Sequence, residues 1–501
     1  MGGRLYGIWH WKNLYGDKIP TLKEQHKQMV SFGLMEDLGY TDEEYDDLEK
    51  IIDHQRDLRQ AQFQLKQNIY KYGLANRVQN KQMETPQFIY MRMAMALCQK
   101  EDKETKLQSV KDFYDYLSFS KINAPTPNFT NLGTPHRGYA SCCLIMANDT
   151  AASLAAADHA AYVMTYMSAG IGRFINTRSE GDSVRGGFIE HQGKMPYFEA
   201  GGSATKANLQ GGRGGADTEY VQIFDPEIKT IVMAQNPRTP VKKQNRKVHF
   251  NIMYNSFFVK KAALKEQIFT FNCFTAPDLF EALFSPNLDE FEALYLKYEQ
   301  DEKFTKNYID AWELAVMVET QSHEVSTLYT FDIQRANVNT PFRKPVRQSN
   351  LCGEIVNMTQ GYPSAEWLYK ENHRNGEIGV CNIGGIVIPN IENDEEYFKA
   401  CYLELKMIDT TIDLAHYELP HVGYMAKRRL NAAIGAVGVA EVYARKGVRF
   451  DTPYGLELAH QMAERHLYFV IKAAIKLTEE RGLCEFADET KWGDGWLPFD
   501  N

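Results

Sequence analysis

The sequence lacks any run of about 18 consecutive apolar residues, so it predicts no membrane-spanning segment. Its first residues, Met1-Gly2-Gly3-Arg4, lead into a mixed segment instead of the apolar stretch of a secretory signal. The sequence also has fewer positively than negatively charged residues, with 56 Lys and Arg and 65 Asp and Glu. The resulting net charge of −9 argues against binding along a nucleic-acid backbone. We therefore expect a cytoplasmic protein that binds neither a membrane nor nucleic acid.

Cysteine is scarce for a chain of this length, with 8 in 501 residues. Such a low content excludes a disulfide scaffold, and a reducing cytoplasm would keep the thiols free. No two cysteines have the Cys-x-x-Cys spacing of a zinc ribbon, so no metal site is expected. A single cysteine is usually a small buried apolar residue unless its neighbours indicate chemistry. The eight are Cys98, Cys142, Cys143, Cys273, Cys352, Cys381, Cys401 and Cys484.

The spacing of apolar residues divides the chain into a helical first part and a mixed second part. Up to about residue 132 helices are expected over residues 38–72, 87–97 and 106–117. Pro125 and Pro127 then mark a boundary, because two prolines so close cannot both lie inside a helix. Beyond it we expect strands over 141–146, 247–253, 326–331 and 379–386, and helices over 150–168, 311–320, 395–414 and 454–477. This alternation predicts a parallel α/β sheet or barrel.

Two glycine-rich segments, residues 170–187 and 201–217, are expected to be loops. Glycine-rich backbone can approach a ligand closely, and its N–H groups can bind an anion. A plain flexible connector has the same composition. Neither segment has the glycine spacing of a P-loop or of a Rossmann fold. Composition therefore leaves open whether these segments bind a phosphate or only connect.

The most informative segment is residues 345–355, which read Pro-Val-Arg-Gln-Ser-Asn-Leu-Cys-Gly-Glu-Ile. It places an amide, a thiol and a carboxylate at alternate positions, Asn350, Cys352 and Glu354. If the segment is extended, all three side chains project from one face. A thiol between a hydrogen-bonding amide and a general base is suited to be a reaction centre. The alternative is a strand end with one buried cysteine and two capping polar groups.

Segment 345–355 resembles the active-site finger loop of the large subunit of class I ribonucleotide reductase. Other stretches fall in the order of that family, and together they run from about Leu5 to about Asp500. They are Glu84-Thr85-Pro86-Gln87-Phe88, Pro125-Thr126-Pro127, Ala140-Ser141-Cys142, the loop 210–216 and the stretch 375–381. The resemblance implies a ten-stranded ribonucleotide-reductase-type α/β barrel, incomplete in this chain. It further implies a remnant of the ATP-cone over 1–20, a helical domain over 21–135 and the barrel domain over 136–501.

The resemblance also implies roles for the residues that match the motifs. Cys352 would carry the thiyl radical that removes the 3′-hydrogen of the substrate ribose. Glu354 would take the proton of the 3′-hydroxyl, and Asn350 would hold the ribose hydroxyls. Cys142 and Cys381 would be the reducing pair, across a closed pocket from Cys352. Two further positions, Thr126 and Ser141, match the substrate-binding part of the family. Cys143, next to Cys142, leaves the assignment of the first reducing thiol open.

One acidic and one basic residue, Asp149 and Arg178, match the allosteric site of the family. That site binds a deoxynucleoside triphosphate or ATP at a dimer interface. Asp149 would accept a ribose hydroxyl, and Arg178 would bind phosphate. Gln210 and Arg213 resemble the element that senses the effector and contacts the substrate base. Both loops are one residue shorter than the common pattern, so effector preferences are expected to differ. A homodimer is implied as well.

No cofactor is expected on this chain itself, because the family draws its radical from a metal-containing small subunit. Thioredoxin or glutaredoxin would be the external reductant. Family members continue past the motif series seen here, so a second chain is expected to supply the carboxyl-terminal part, unless the gene is truncated. A viral source would place the protein in the host cytoplasm. Two alternatives stay open: a cobalamin-dependent reductase, which shares the Cys-Gly-Glu form, and a non-catalytic nucleotide-binding regulatory fragment.

Overall fold

The computed structural model describes residues 2–210 and 213–496, with positions 209, 210 and 213 in backbone only. The chain forms two compact units. The helical unit comprises Met1–Ser141, Asn382–His416 and Ala432–Leu483, and the sheet unit comprises Cys142–Cys381, Tyr417–Asn431 and Cys484–Asn501. The expected domain borders at residues 20 and 135 stay predictions.

The first 141 residues are mainly helical, and their helices begin where the sequence offers caps. Thr21 and Glu24 form a capping box, as do Thr41 and Glu44, so each helix satisfies its first N–H groups locally. The elements are α1 Gly2–Tyr15, α2 Leu22–Ser31, α3 Asp42–Glu49, α4 Gln62–Gln67, α5 Pro86–Cys98, α6 Lys103–Ser118 and α7 Thr126–Asn131, with short strands β1 Ala75–Asn76, β2 Lys81–Gln82 and β3 Ile122–Asn123.

One helix prediction in this part is wrong and two are confirmed. Residues 38–72 do not form a single helix but are divided between α3, a 3-10 helix over His54–Arg59, α4 and a π-helix over Asn68–Tyr72. The helices predicted over 87–97 and 106–117 are α5 and α6. The boundary prediction also holds, because Pro125 caps α7 and Pro127 lies in its first turn, where proline is tolerated.

Helix α5 is buried along its whole length and carries two polar anchors in an apolar core. The Arg92 guanidinium donates to Oε1 of Glu84 at 2.7 Å and to the carbonyl oxygen of Phe129 at 3.0 Å. One turn before it, Gln87 donates to Oδ1 of Asp57 at 2.9 Å. Because a buried charge is costly without partners, these contacts fix the position of α5. The stretch from Glu84 to Phe88 therefore serves the core of the helical unit.

Asp57 gives the helical unit a pH-dependent stability. Burial raises the pKa of the Asp57 carboxyl to about 7, against hydrogen bonds from Gln87 and Trp11. The folded state therefore holds a proton that the unfolded chain releases near pH 4, and stability falls as the pH rises from 4 through 7. One pKa unit corresponds to about 1.4 kcal/mol. Over that window we expect the wild type to lose up to about 4 kcal/mol relative to Asp57→Asn, measured by urea unfolding at several pH values.

The matched control for this measurement is Asp46→Asn, at an exposed position of α3. It should follow the wild-type pH profile. Equal pH slopes for the wild type and Asp57→Asn would contradict the role given to Asp57.

The second part, up to residue 381, alternates strands and helices as expected. Its elements are β4 Cys142–Ala147, α8 Ala151–Tyr166, β5 Gly170–Ile175, β6 Ser183–Val184, β7 Ile189–Glu190, α9 Met195–Lys206, β8 Leu209–Gln210, β9 Arg213–Gly214, β10 Asp217–Gln222, α10 Ile228–Met233, β11 His249–Tyr254, α11 Ser256–Ala263, β12 Gln267–Phe269, α12 Pro277–Ala282, α13 Leu288–Gln300, β13 Tyr308–Asp310, α14 Ala311–Val325, β14 Leu328–Asp332, α15 Ile333–Val338 and β15 Gly379–Cys381. The main sheet has the order β14-β11-β10-β5-β4-β15.

Within this sheet β4, β5, β10, β11 and β14 run parallel, and β15 pairs antiparallel with β4. Helices α8 and α9 contact one face of this sheet. Arg173 on β5 reaches Asp158 of α8, and Phe250 on β11 packs against Phe198 of α9. The described strands do not close into a barrel.

Each of the two predicted glycine-rich loops is regular structure in part. Residues 170–175 form β5, and Asp217, the last residue of the second segment, begins β10; both strands lie in the centre of the sheet and are completely buried. Residues 201–206 belong to α9. A glycine-rich composition thus conceals β5, one of the strands that carry the site. The predicted strand 379–386 is also interrupted, since β15 ends at Cys381 and the next strand belongs to another sheet.

The last elements, in chain order, are β16 Ile383–Val387, α16 Asp394–Leu414, α17 Pro420–Arg429, β17 Ala433–Val437, α18 Val439–Lys446 and α19 Pro453–Arg481. Strand β16 pairs in parallel with β17 and antiparallel with β3. The predicted helices 395–414 and 454–477 are α16 and α19. No helix among residues 2–210 and 213–496 is long and apolar enough to cross a bilayer.

Candidate active site

The site begins with two cysteines on neighbouring strands. Cys381 on β15 lies directly opposite Cys142 on β4 in the antiparallel register. Side chains of such opposed residues lie on the same face, with Cβ atoms about 5 Å apart. Cys143 points to the other face, because strand side chains alternate. The electrostatic influence of Asp217 on Cys143 agrees with this, since Asp217 contacts Arg173 on the helix-covered face.

The segment that carries Cys352 is a tight turn and not the extended strand considered from the sequence. The side-chain Nδ2 of Asn350 donates to Oε1 of Glu354 at 2.7 Å, and its Oδ1 accepts from the backbone N–H groups of Glu354 and Ile355 at 3.1 and 3.2 Å. Ser349 closes the turn by donating to the carbonyl oxygen of Ile355 at 2.6 Å. Gly353 permits the turn with a φ of +83°. We call residues 348–355 the finger loop.

The finger loop lies directly on β5, where two glycines leave room for it. A Cβ atom at Gly172 would stand 2.5 Å from the carbonyl oxygen of Ser349 and 2.7 Å from the carbonyl carbon of Asn350. A Cβ atom at Gly170 would stand 2.6 Å from Leu351 and 3.4 Å from the sulfur of Cys142. Gly170 and Gly172 share one face of β5. The glycines therefore serve a close approach of backbone to backbone.

The three predicted cysteines and Glu354 lie within electrostatic range of one another. Burial, followed by the charges of Glu354 and Cys352, raises the pKa of the Cys142 thiol to about 12, against hydrogen bonds from the Asn350 side chain and the Leu351 backbone. Burial, followed by the charge of Cys142, raises the pKa of Cys381 well above its ordinary value. Both thiols are thus protonated at neutral pH and can donate hydrogen.

The four predicted reactive side chains differ in their exposure, and the closed pocket implied by the resemblance stays a prediction. Cys352 and Glu354 are exposed, while Cys142 and Cys381 are buried. The described strands of the sheet that carries these residues form an open sheet between β14 and β15. The described part of the chain therefore brings the predicted reactive residues together without enclosing them.

We expect oxidation to join Cys142 to Cys381. Opposed cysteines on antiparallel strands meet the distance needs of a disulfide, and both side chains are buried in this structure. After mild diamide treatment, peptide mass spectrometry without reductant should show one linked peptide pair. Since Cys142 and Cys143 share a peptide, the matched variants decide: the link should persist in Cys143→Ala and disappear in Cys142→Ala. The reverse pattern would assign the reducing thiol to Cys143.

Asp149 and Arg178, the candidate effector residues, are brought together. The Arg178 guanidinium donates to Oδ2 of Asp149 at 2.7 Å and lies 4.2 Å from the centre of the Phe274 ring. Thr177 donates to the other carboxylate oxygen at 2.7 Å. In this structure the two residues thus bind each other. Thr177 and Phe274 were not singled out from the sequence, and no motif in the sequence indicates them.

The remaining candidate residues are placed as follows. Gln210 ends β8 and Arg213 begins β9, two paired strands, and their side chains fall outside the described atoms. Thr126 is the first residue of α7, and Ser141 directly precedes β4; both belong to the helical unit. Their predicted contact with substrate stays a prediction.

Four residues that build the site were missed by sequence reasoning. Gln348 donates to the carbonyl oxygen of Gly172 at 2.8 Å, and Thr218 and Tyr220 on β10 donate to carbonyl groups of the finger loop. Gly172 permits the approach. Residues 217–222 read Asp-Thr-Glu-Tyr-Val-Gln and lack the apolar and polar alternation that would have identified β10 as a strand.

This geometry brings thiols, a carboxylate and an amide together on one face of a mainly parallel sheet. Residues 140–501 match the family model of the ribonucleotide reductase barrel domain, and residues 65–137 match that of the all-alpha domain. The chain belongs to the ribonucleotide reductase large-subunit family. The expected fold, an α/β barrel domain with a helical amino-terminal region, is confirmed, and the barrel is not closed among the described residues.

Curated relatives carry the name ribonucleoside-diphosphate reductase subunit alpha. The chain is 32% identical to the protein of Haemophilus influenzae, over 98% of this chain and 65% of the relative. It is 32% identical to subunit alpha of reductase 1 of Escherichia coli, over 98% and 64% of the two chains. The protein of Enterobacteria phage T4 is 30% identical, over 92% and 60%. The chain thus spans less than two thirds of the length of these relatives.

Proposed function

We propose that this chain reduces ribonucleoside diphosphates to 2′-deoxyribonucleotides as the catalytic part of a ribonucleotide reductase large subunit. One observation carries the proposal: Cys142, Cys381 and the Asn350–Glu354 turn meet on one face of the sheet. A protein that only binds nucleotides does not need two protonated thiols beside a third thiol and a carboxylate. The substrate class follows the name of the relatives.

The proposed chemistry assigns each group one task. A thiyl radical on Cys352 takes the 3′-hydrogen of the ribose, and Glu354 accepts the proton of the 3′-hydroxyl. The 2′-hydroxyl then leaves as water with a proton from the Cys142–Cys381 pair. The two thiols supply two electrons and become a disulfide, and their second hydrogen goes to the 2′-carbon. Glu354 returns its proton to the 3′-oxygen, and Cys352 returns its hydrogen to the 3′-carbon. The high pKa values of Cys142 and Cys381 support this order, because each thiol keeps its proton until water leaves.

Partners complete the proposed enzyme. A metal-containing small subunit would generate the radical, and thioredoxin or glutaredoxin would reduce the disulfide. The strands missing around the finger loop would come from the part of the fold that the longer relatives have in addition, on this polypeptide or on a second chain. Asp149, Arg178, Gln210 and Arg213 would bind a deoxynucleoside triphosphate or ATP effector in a cytoplasmic homodimer.

The test is turnover in the assembled enzyme, by which we mean this chain together with that additional part of the large subunit and a small subunit. Conversion of CDP to dCDP, measured by chromatography with dithiothreitol as reductant, is the expected result. Activity with adenosylcobalamin and no small subunit would move the chain to the cobalamin-dependent class. Binding of dTTP without turnover under either condition would favour a regulatory nucleotide-binding protein.

A further inference from the structure

Two hydroxyl groups of β10 hold the backbone of the finger loop next to Cys352. Thr218 Oγ1 donates to the carbonyl oxygen of Leu351 at 2.7 Å. The Tyr220 hydroxyl donates to the carbonyl oxygen of Asn350 at 2.5 Å. Thr218 and Tyr220 are completely buried, with 0% and 1% of their surface exposed. The two residues that precede Cys352 are thus bonded to one strand.

The finger loop has further hydrogen bonds, some within itself and some to other strands. The bonds from Asn350 and Ser349 to Glu354 and Ile355 give the turn its shape. Gln348 donates to the carbonyl oxygen of Gly172 on β5, and the Asn350 side chain and the Leu351 backbone hydrogen-bond the Cys142 thiol on β4. The Thr218 and Tyr220 hydroxyls bind the loop to β10, at the two residues directly before Cys352.

Strand β10 is itself fixed from its other face. Asp217 and Glu219 alternate with Thr218 and Tyr220 and point toward the helices. Nε of Arg173 donates to Oε1 of Glu219 at 2.7 Å, and a guanidinium nitrogen lies 3.4 Å from Asp217. These three side chains are completely buried, so the contacts are not weakened by water. These contacts hold β10 in place, and with it the hydroxyl groups of Thr218 and Tyr220.

We propose that Thr218 and Tyr220 are positioning residues that set the place of Cys352 relative to Cys142 and the ribose. This inference rests on the proposed function, since it concerns the step in which Cys352 takes a hydrogen. A hydrogen-transfer step depends steeply on the separation of the reacting atoms. Without the hydroxyls, two buried carbonyl groups lose their partners, and the turn shifts or fluctuates.

The test uses Tyr220→Phe and Thr218→Val, which remove a hydroxyl and keep the volume, alone and combined. The matched control is Tyr295→Phe, which removes another buried tyrosine hydroxyl away from the finger loop. The Tyr295 hydroxyl accepts a hydrogen bond from the backbone N–H group of Phe269 at 2.6 Å. Two readouts are independent of turnover: hydrogen exchange of the Glu354 and Ile355 amides, and the rate at which iodoacetamide labels Cys352. Thr218→Ser restores the hydroxyl and serves as rescue.

In the combined variant of the full chain we expect amide exchange at Glu354 and Ile355 to rise by about tenfold or more, and the labelling rate of Cys352 to change. In the assembled enzyme kcat should fall by about tenfold or more with KM nearly constant. Tyr295→Phe and Thr218→Ser should resemble the wild type in all three. Unchanged exchange and labelling, or changed exchange with unchanged kcat, overturns the proposal. If the wild type shows no turnover, the proposed function fails, and exchange and labelling still decide whether the two hydroxyls position the loop.

Discussion

Replacing Cys352 by serine is expected to reduce dCDP formation in the assembled enzyme to background, a loss of more than about a thousandfold. The variant keeps the size and hydrogen-bonding ability of the side chain, so the finger loop should stay in place. The O–H bond of serine is too strong to be exchanged for a ribose C–H bond, and the first step is therefore lost. Chromatography of the product after a fixed time measures the effect.

The matched control is Cys484→Ser, which changes a half-buried cysteine away from the finger loop. It should retain nearly full activity. A Cys352→Ser enzyme with wild-type turnover would contradict the assignment of the radical to this sulfur. Loss of activity in both variants would instead indicate that the assay responds to any lost thiol.

Placing one methyl group on β5 is expected to disable the site without touching a reactive residue. In Gly172→Ala the new Cβ would stand 2.5 Å from the carbonyl oxygen of Ser349, so the finger loop must move away from the sheet. A displacement of about 1 Å costs roughly a hundredfold in rate. The overlap should also lower the free energy of unfolding by about 1–3 kcal/mol. Turnover and urea unfolding of the same preparation measure both effects.

Gly435→Ala on β17 is the matched control, because a Cβ atom there would meet its nearest atom at 3.8 Å. It should leave turnover and stability close to wild type. If Gly172→Ala is stable and fully active, the loop does not depend on close contact with β5. If it is unstable but its folded fraction has wild-type turnover, the contact supports the fold and not the reaction.

The sequence was informative about the residues that react and poor about the surface that holds them. Asn350, Cys352 and Glu354 could be chosen because an amide, a thiol and a carboxylate in one short segment are chemically distinctive. The long helices α6, α16 and α19 could be predicted because their apolar positions repeat with a helical period. Strand β5 could not, since its two glycines have the composition of a loop, and β10 could not, since most of its residues are polar. The glycines of β5 are needed for contact with another segment, which local composition does not show.

The choice between Cys142 and Cys143 illustrates what local sequence leaves open. Two adjacent residues in a strand point to opposite faces, and the sequence alone does not say which face carries the finger loop. The register of β4 with β15 sets Cys142 opposite Cys381, and that register depends on contacts more than 200 residues apart. The predicted roles of both thiols await the disulfide mapping described above.

The buried carboxyl groups around Arg173 have a thermodynamic consequence for the whole sheet unit. Burial raises the pKa of Asp158, Asp217 and Glu219, because a single guanidinium cannot balance three negative charges. The folded chain therefore binds more protons at this place than the unfolded chain does near neutral pH. Folding draws protons from the buffer, and the heat measured in a calorimeter includes the ionisation enthalpy of whatever buffer supplies them.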